Sequence, residues 1–379
     1  MQNYTNDVKQ LMSAIDSNWK ALNIMILGET GCGKSTLVNA VFGENVAPVG
    51  AGKPVTKGIL LYKSDTLSIY DTEGIEADAV QQSRITNEIC TTIQSLSHQG
   101  IEKQIHMIWY CFQATSRPQD IELTLLRRIA QCIKEAKKNI PVVFVLTKPA
   151  LVDETKFDVF YKAVSDSVSK IFPSCKNNIV EVQAIPVSVG RGDEKAILPA
   201  YGLDKLDKCV RELLPEAIRD TYTIHQQINL QAKVDKANKT LLTHYATVGS
   251  AIAGGATVAG IDDTWALIGM QLAMFAEIGS IFHFTFDENK IKAALAGSIG
   301  VGVASAVGKT IFHYALAAAT GGLSIAGEAA VRIAIADGVT LSMGKVYIEF
   351  MEKFASGEIS ESQVIQEIET MLSKNHKKK

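Results

Sequence analysis

The sequence has no run of about 20 predominantly apolar residues, the length that a membrane-spanning helix needs. It has no Cys-x-x-Cys pair either, and its six cysteines are spread over 379 residues. We therefore expect reduced thiols, as in a protein facing the cytoplasm. The N-terminal segment lacks the basic and apolar regions of a secretory signal. Neither sign of charge dominates (38 Lys and Arg, 40 Asp and Glu), so no sequence-specific DNA binding is expected.

The residue pattern changes near position 220. Before it, short β-branched runs alternate with helical stretches, which predicts an α/β domain with a mainly parallel sheet and helices on both faces. The predicted strands are Leu22–Leu27, Ile59–Tyr62, Leu67–Tyr70, Ile105–Phe112, Val142–Leu146 and Val180–Val187. The predicted helices are Ser35–Phe42, Ala79–Leu96, Asp120–Lys137 and Phe157–Ile171.

The second half is rich in Gly and Ala and predicts an all-α domain. A polar helix is expected over Asp220–Thr243 and an amphipathic one around Ser360–Leu372. Between them, small residues recur at every fourth position, which lets helices pack closely. The expected organisation is an N-terminal helix over 1–20, an α/β domain over 21–218 and a helical domain over 219–379.

A glycine-rich motif, GETGCGKS, follows the first predicted strand and precedes a predicted helix. It matches GxxxxGK[ST], in which backbone N–H groups and the helix N-terminus surround phosphates. Lys34 is expected to reach the β- and γ-phosphates, and the Ser35 hydroxyl to ligate Mg²⁺. The nucleotide-binding residues predicted here are Gly28, Glu29, Thr30, Gly31, Cys32, Gly33, Lys34, Ser35 and Thr36.

Two further segments follow in the order that a phosphate site needs. Thr56 precedes a strand and is placed to complete Mg²⁺ coordination and sense the γ-phosphate. Asp71 and Gly74 form a DxxG motif, in which the carboxylate holds the metal through water and the glycine N–H meets the γ-phosphate. The predicted metal ligands are Ser35, Thr56 and Asp71. The predicted catalytic residues are Lys34, Thr56 and Gly74.

The segments ILGETGCGKSTLVNAVFG, PVTKGI and IYDTEGIEAD resemble the Era-like branch of bacterial P-loop GTPases, over about Ala21–Glu216. The resemblance implies hydrolysis of GTP to GDP and phosphate with Mg²⁺. IHMIWYCFQ is similar to the fourth strand of these GTPases. The segment Gly260–Phe282 resembles a C-terminal domain of unknown function that follows some Era-like GTPases.

The base-reading segment departs from the family pattern. The family has TKxD, whereas this chain has Thr147-Lys-Pro-Ala150. Lys148 can still stack along the base, but the carboxylate that distinguishes guanine from adenine is missing. Asp153 is an alternative source of that carboxylate. By the same resemblance, Thr147 and Ser188 are assigned to the nucleotide site, Ser188 next to the base oxygen.

A second departure concerns hydrolysis. Ile75 follows the DxxG glycine, where many GTPases carry a water-orienting glutamine, and an aliphatic side chain cannot orient water. We therefore expect slow turnover unless help comes from a partner, a homodimer of GTPase domains, a monovalent cation, Glu73 or Glu76. The last two are interpreted mainly as exposed loop acids.

The sequence thus predicts a cytoplasmic nucleotide switch in which a GTPase domain controls a helical effector domain. Two alternatives stay open. One is a membrane-associated, dynamin-like or immunity-related type of GTPase that assembles on lipid. The other is a regulatory nucleotide-binding protein with negligible hydrolysis. Contact with the ribosome or with a membrane surface is left open as well.

Overall fold

A computed structural model describes residues 19–43, 46, 53–56, 58–64, 66–74, 79–114, 120–190, 195–253, 274–284 and 339–374. Residues Lys20–Asn229 form one compact unit. Trp19 and the described residues from Leu230 onward belong to a second unit. The helix predicted over 1–20 lies almost entirely outside the described residues. The predicted boundary after residue 218 falls inside a helix of the first unit.

The first unit is built on a seven-stranded sheet in the order β2-β3-β4-β1-β5-β6-β7. The neighbours from β4 to β7 run parallel, whereas β3 is antiparallel to β4 and β2 to β3. All seven residues of β1 are buried, as expected for a strand covered on both faces. The strands are β1 Leu22–Gly28, β2 Lys53–Thr56, β3 Ile59–Ser64, β4 Leu67–Thr72, β5 Met107–Gln113, β6 Val142–Thr147 and β7 Ile179–Val182.

Helices cover both faces of the sheet, so the predicted α/β fold is confirmed. Apolar residues of α2, α3 and α4 pack in one core, and those of α1, α5 and α6 pack in the other. Alternate residues of each strand enter the two cores, because successive side chains of a strand point to opposite faces. The helices are α1 Lys34–Phe42, α2 Ala79–Ser97, α3 Asp120–Glu135, α4 Glu154–Ile171, α5 Leu203–Leu213 and α6 Glu216–His225.

The predicted strand over Val180–Val187 is wrong as a single element. The parallel strand β7 ends at Val182, and a separate ribbon forms from β8 (Val187–Val189) and β9 (Ala196–Leu198). Between β7 and β8, Gln183 exchanges two backbone hydrogen bonds with Tyr201, each 3.0 Å. Pro186, directly before β8, has no N–H to donate to a sheet ladder.

The polar helix predicted over Asp220–Thr243 is interrupted. Helix α6 ends at His225 and α7 (Leu230–Ala253) begins after a turn at residues 226–229. Inside the turn, the Gln226 side-chain oxygen accepts hydrogen bonds from the backbone N–H groups of Ile228 (2.8 Å) and Asn229 (2.7 Å). The side chain thus replaces the helical bonds that these N–H groups would otherwise make.

The same turn is bonded to two helices of the first unit. The Gln227 N–H donates to the Val41 carbonyl near the end of α1, at 2.7 Å. The Asn229 side chain donates to the buried carboxylate of Asp207 in α5, at 2.6 Å, and Arg211 pairs with the same oxygen at 2.9 Å. These bonds fix the position at which the chain leaves the first unit.

The second unit is helical where it is described. It contains α7, a helical segment over residues 274–281, α8 (Val339–Ala355) and α9 (Glu361–Lys374). The Phe275 and Tyr347 rings lie 4.6 Å apart between centroids. Helix α9 matches the amphipathic helix predicted around Ser360–Leu372. Most of the small-residue stripes and of the Gly260–Phe282 segment lie outside the described residues.

None of the helices in the described part of the chain is long and apolar enough to cross a bilayer.

The expectation that all cysteines are reduced is wrong for one pair. Cys90 in α2 and Cys132 in α3 are disulfide-bonded, with their Cα atoms 5.5 Å apart. The sequence offered no sign of this pair, because 42 residues separate the two cysteines. Only the packing of α2 against α3 brings them together. The other four cysteines are Cys32, Cys111, Cys175 and Cys209, and they are thiols.

The disulfide predicts the number of free thiols, which can be measured. Denatured, unreduced protein should titrate four thiols, and six after reduction. Reduction should also lower the free energy of unfolding by about 2–4 kcal/mol, because the crosslink restricts the unfolded chain. A double variant, Cys90→Ser with Cys132→Ser, is the control and should match the reduced protein. Six thiols without reductant would contradict the assignment.

Candidate functional site

The glycine-rich motif forms a loop between a buried strand and a helix. Strand β1 ends at Gly28 and α1 begins at Lys34, so the loop lies at the carboxyl edge of the sheet. The Lys34 ammonium group donates to the carbonyls of Gly28 (2.9 Å) and Glu29 (3.0 Å), and the side chain is buried. A fixed positive charge is therefore held against the loop, next to the N-terminus of α1. This is the geometry that binds phosphate groups.

Two of the predicted metal ligands have described side chains: Ser35 in α1 and Asp71 in β4, the strand next to β1. Asp71 pairs with Ile26 of β1 in the parallel register, and the Ser35 hydroxyl donates to Asp71 Oδ2 at 3.4 Å. The other carboxylate oxygen, Oδ1, is buried and has no hydrogen-bond partner among the described residues. Burial raises the pKa of Asp71, although the nearby Lys34 charge and the Ser35 hydroxyl oppose the shift.

These two side chains fit a magnesium ion. Mg²⁺ prefers oxygen ligands and keeps several waters, so one hydroxyl and one carboxylate suffice on the protein side. A cation beside Asp71 would also compensate the buried, unpartnered oxygen. Within the described residues there is no cluster of three His, Cys, Asp or Glu side chains, the type of site that binds a metal without a nucleotide.

The third predicted metal ligand is located only by its backbone. Thr56 ends β2, opposite Ile59 of β3, and its side chain lies outside the described part of the structure. Gly74 lies against the phosphate loop, where an added Cβ would overlap the backbone of Thr30. No other residue type fits there without moving the loop. The DxxG glycine is thus brought to the phosphate loop, as predicted from the motif order.

The predicted alternative for orienting water is engaged elsewhere. The Glu73 carboxylate pairs with the Arg84 guanidinium at 2.9 Å, and Arg84 also pairs with Glu88 at 3.0 Å. This supports the interpretation of Glu73 as an exposed loop acid. Ile75 and Glu76 lie outside the described residues.

The end of β6 is bonded to the phosphate loop. The Thr147 hydroxyl donates to the Cys32 carbonyl (2.7 Å) and to the Phe112 carbonyl (3.1 Å). The Lys148 ammonium group donates to the Gly31 carbonyl and, at 3.2 Å, to the Gln113 side chain. Two predicted nucleotide-site residues from a distant part of the chain therefore hold the loop in place.

A cavity of about 160 Å³ opens beside these contacts. One wall comes from the phosphate loop and α1, with Thr36, and a second from the end of β6, with Lys148 and Leu151. The third wall is the segment 182–187 after β7. Parallel α/β sheets bind ligands in such crevices beyond the carboxyl ends of their strands. The cavity lies where a base attached to phosphates in the loop would be placed.

Two residues assigned from the sequence do not line this cavity. Ser188 is exposed in β8, paired with Ile197 of β9. Asp153 caps α4: Oδ1 accepts from the Lys156 N–H at 3.0 Å, and Oδ2 pairs with the Lys156 ammonium at 2.7 Å. These bonds lower the pKa of Asp153. Ser188 therefore lies outside the lining of this cavity, and its assignment to the nucleotide site stays a prediction, while Asp153 is engaged with its own helix.

Sequence reasoning missed the wall formed by residues 182–187. Gln183 in particular is buried and lines the cavity. The available signal was its position, since it follows a parallel strand next to the strand that carries Thr147. Treating Val180–Val187 as one strand concealed it.

Cys32 has an unusual environment for a thiol. It is fully buried, and a hydrogen bond with Cys111, together with the charges of Lys34 and Lys148, lowers the pKa of Cys32 to about 7 in spite of burial. The same hydrogen bond and complete burial raise the pKa of Cys111.

The sequence profile of a family described as "50S ribosome-binding GTPase" matches residues 23–148. GTPase Era of Ruminiclostridium cellulolyticum is 24% identical over 205 residues, which are 52% of this chain and 55% of that protein. GTPase Era of Trichlorobacter lovleyi is 27% identical over 206 residues (53% and 58%). The tRNA modification GTPase MnmE of Ureaplasma parvum is 27% identical over 165 residues (40% and 33%).

Fold and loop together define a P-loop nucleotide-binding domain. Within that class, residues 23–148 match the GTPase family profile, and the α/β domain is similar to that of the Era proteins. The predicted resemblance is thereby confirmed for this part, and the resemblance of the C-terminal half stays a prediction. The chain spans little more than half the length of the Era proteins that it matches.

The buried carboxylate leads to a prediction about stability without ligand. Because burial raises the pKa of Asp71 in the folded state, its ionisation destabilises that state as pH rises above the unfolded value. Without nucleotide and Mg²⁺, the Asp71→Asn protein should be at least as stable as the wild type at pH 7. The difference between their free energies of unfolding should be smaller at pH 4. Added Mg²⁺ and GTP should stabilise the wild type and not the variant.

Urea unfolding at the two pH values measures this difference. Asp158→Asn, an exposed position in α4, is the matched control and should show no such gap. A clear loss of stability in Asp71→Asn without ligand would contradict the proposed role of the unpartnered oxygen.

Proposed function

We propose that this chain binds GTP with Mg²⁺ and hydrolyses it to GDP and phosphate. The observation that carries the proposal is a continuous row of groups along one edge of the sheet. Asp71 and Ser35 lie at one end, Lys34 and the phosphate loop in the middle, and the cavity beside Lys148 at the other. Such a row suits a metal, a chain of phosphates and a base, in that order. The Era-like domain supports guanine as the base.

Each group has a role that follows from its geometry. Lys34 places its positive charge at the β- and γ-phosphates, and the N-terminus of α1 adds its partial positive charge at the same place. Ser35 and Asp71 would hold Mg²⁺, which supplies neutralisation of phosphate charge when it is bound. The Gly74 N–H can donate to the γ-phosphate because its backbone lies against the phosphate loop. Thr56 is proposed as the further ligand and γ-phosphate sensor.

Turnover is proposed to be slow in the isolated protein. Ile75 offers no group that orients water, and Glu73 is paired with Arg84. Attack of water on the γ-phosphate would then depend on a group from a partner, a second GTPase domain or a monovalent cation. A single-turnover assay distinguishes this from a regulatory protein with negligible hydrolysis.

The nucleotide state is proposed to control the helical unit. The supporting observation is the bond between Gln227 and Val41, because α1 begins at the phosphate loop and ends beside the turn that leads into α7. A shift of α1 would therefore displace that turn. The family description suggests a ribosomal subunit as a partner, and co-sedimentation in each nucleotide state would test it. Liposome flotation would test the lipid-assembling alternative.

The central prediction concerns Lys34. Lys34→Ala should abolish GTP binding, because it removes the ammonium group that the loop holds at the phosphates. Isothermal titration with GTP and Mg²⁺ measures the loss, and a thermal melt checks the fold. Lys162→Ala, an exposed lysine of α4, is the control and should bind like the wild type. Unchanged affinity in a well-folded Lys34→Ala protein would remove the proposal.

A second prediction concerns base preference. The wild type should prefer GTP over ATP less strongly than Ala150→Asp, which restores the carboxylate of the family motif. A hydrogen-bonded carboxylate at a base is worth about 1.5–3 kcal/mol, or roughly 10- to 100-fold in preference. Competition of ATP against labelled GTP measures the ratio. Asp153→Ala should leave it unchanged, since Asp153 is engaged with Lys156. A large change in Asp153→Ala would instead identify that residue as the base reader.

A further inference from the structure

The cavity has no carboxylate in its lining, although a carboxylate is the group that the family uses to read guanine. Two of the polar side chains that line it are already committed. The Thr147 hydroxyl donates to two carbonyls, and the Lys148 ammonium group can only donate. The Lys148 ammonium group therefore offers no acceptor to the donors on the Watson–Crick edge of a purine.

Gln183 is placed to supply that acceptor. In the parallel pairing of β6 and β7, Thr147 lies opposite Val182, so Gln183 is the next residue along from Val182, as Lys148 is from Thr147. Its backbone is fixed by the two hydrogen bonds with Tyr201. The side chain is only 4% exposed, and the residue lines the cavity. Gln183 thus lies across the edge of the sheet from the segment that lost its carboxylate.

The two ends of the Gln183 carboxamide differ in their bonding. The nitrogen Nε2 donates to the Ile185 carbonyl at 2.9 Å, which fixes the orientation of the group. The oxygen Oε1 is buried and has no hydrogen-bond partner among the described residues. A buried acceptor without a donor is unfavourable, and most such groups in proteins have a partner. The unsatisfied atom is an acceptor, which is the type of group that the missing carboxylate would supply.

We propose that Gln183 determines the base preference of this chain, with Oε1 accepting a hydrogen bond from the 2-amino group of guanine. The proposal rests on the proposed function, because it needs a nucleotide in the cavity. Oε1 has no solvent contact in the structure, so base binding requires a small shift of the carboxamide or of the turn that follows it. Ile185 in that turn is 53% exposed, so the turn borders solvent and can shift together with the carboxamide that is bonded to its carbonyl.

One amide oxygen is a weaker reader than a carboxylate. It is neutral and accepts from a single N–H here, whereas a carboxylate accepts from two at once. The structure therefore points to a guanine preference that is real but modest. The two possible roles of Gln183 can be told apart, because Nε2 holds the turn and Oε1 would bind the base.

The test compares GDP with IDP, which differs from GDP only by lacking the 2-amino group. Wild-type protein should bind GDP about tenfold more tightly than IDP, the value of one hydrogen bond. Gln183→Met removes the acceptor at nearly constant size and should lower GDP affinity to the level of IDP. Gln183→Glu keeps an acceptor oxygen and should retain a preference for GDP. Competition against a fluorescent GDP analogue measures all three proteins.

The outcomes separate the proposal from simpler explanations. Equal GDP and IDP affinities in the wild type would overturn it without any variant. A Gln183→Met protein that loses GDP and IDP affinity by the same factor would show that the side chain only supports the turn, which also overturns it. Should Gln183→Met fail to fold, Gln183→Glu and the wild type still decide. Absence of any diphosphate binding in the wild type would instead overturn the proposed function itself.

A double variant tests whether the two walls read the same base. Adding Ala150→Asp to Gln183→Met should restore the preference for GDP over IDP, because the restored carboxylate accepts from the same edge of guanine. Failure to restore it, with GDP binding intact, would contradict the placement of the base between these two residues.

Discussion

The parallel register of the central strands is the constraint on which the site depends. Parallel strands end at the same edge of a sheet, so loops that follow them meet there. Three residues that lie at this edge are Gly28 of β1, Asp71 of β4 and Thr147 of β6. More than 100 residues of the chain separate Gly28 from Thr147. Because the strands are buried on both faces, their ends are the places where polar groups can face a ligand.

The phosphate half and the base half of the site are held together by backbone carbonyls. Thr147 and Lys148 both donate to carbonyls of the phosphate loop, and Lys34 donates to two others. These donors fix the loop carbonyls, and within the loop the Cys32 N–H donates to the Glu29 carbonyl at 3.3 Å. The loop is therefore shaped by residues from β6 as much as by its own glycines. This explains why Thr147 and Lys148 matter even without the carboxylate that the family motif carries.

A second set of bonds connects the nucleotide loop to the exit of the first unit. Helix α1 begins at the loop, and its Val41 carbonyl accepts from Gln227 in the turn before α7. The buried Asp207 carboxylate holds the same turn through Asn229. The control of the helical half that we propose would act through this turn. The break in the predicted helix at residues 226–229 is the feature that brings Gln227 to the end of α1.

The class of fold, the phosphate loop and the order of the motifs along the chain are predictable from the residues alone. These are local properties: a strand pattern, a spacing of glycines and a lysine are readable within 20 residues. The sequence could not show that Ser188 lies outside the cavity, that Asp153 caps its own helix, that Cys90 meets Cys132, or that Gln183 lines the cavity. Each of these depends on which residues from distant segments become neighbours. Only the strand order and the packing of helices on the two faces decide that, because side-chain contacts form after the chain has been folded back on itself.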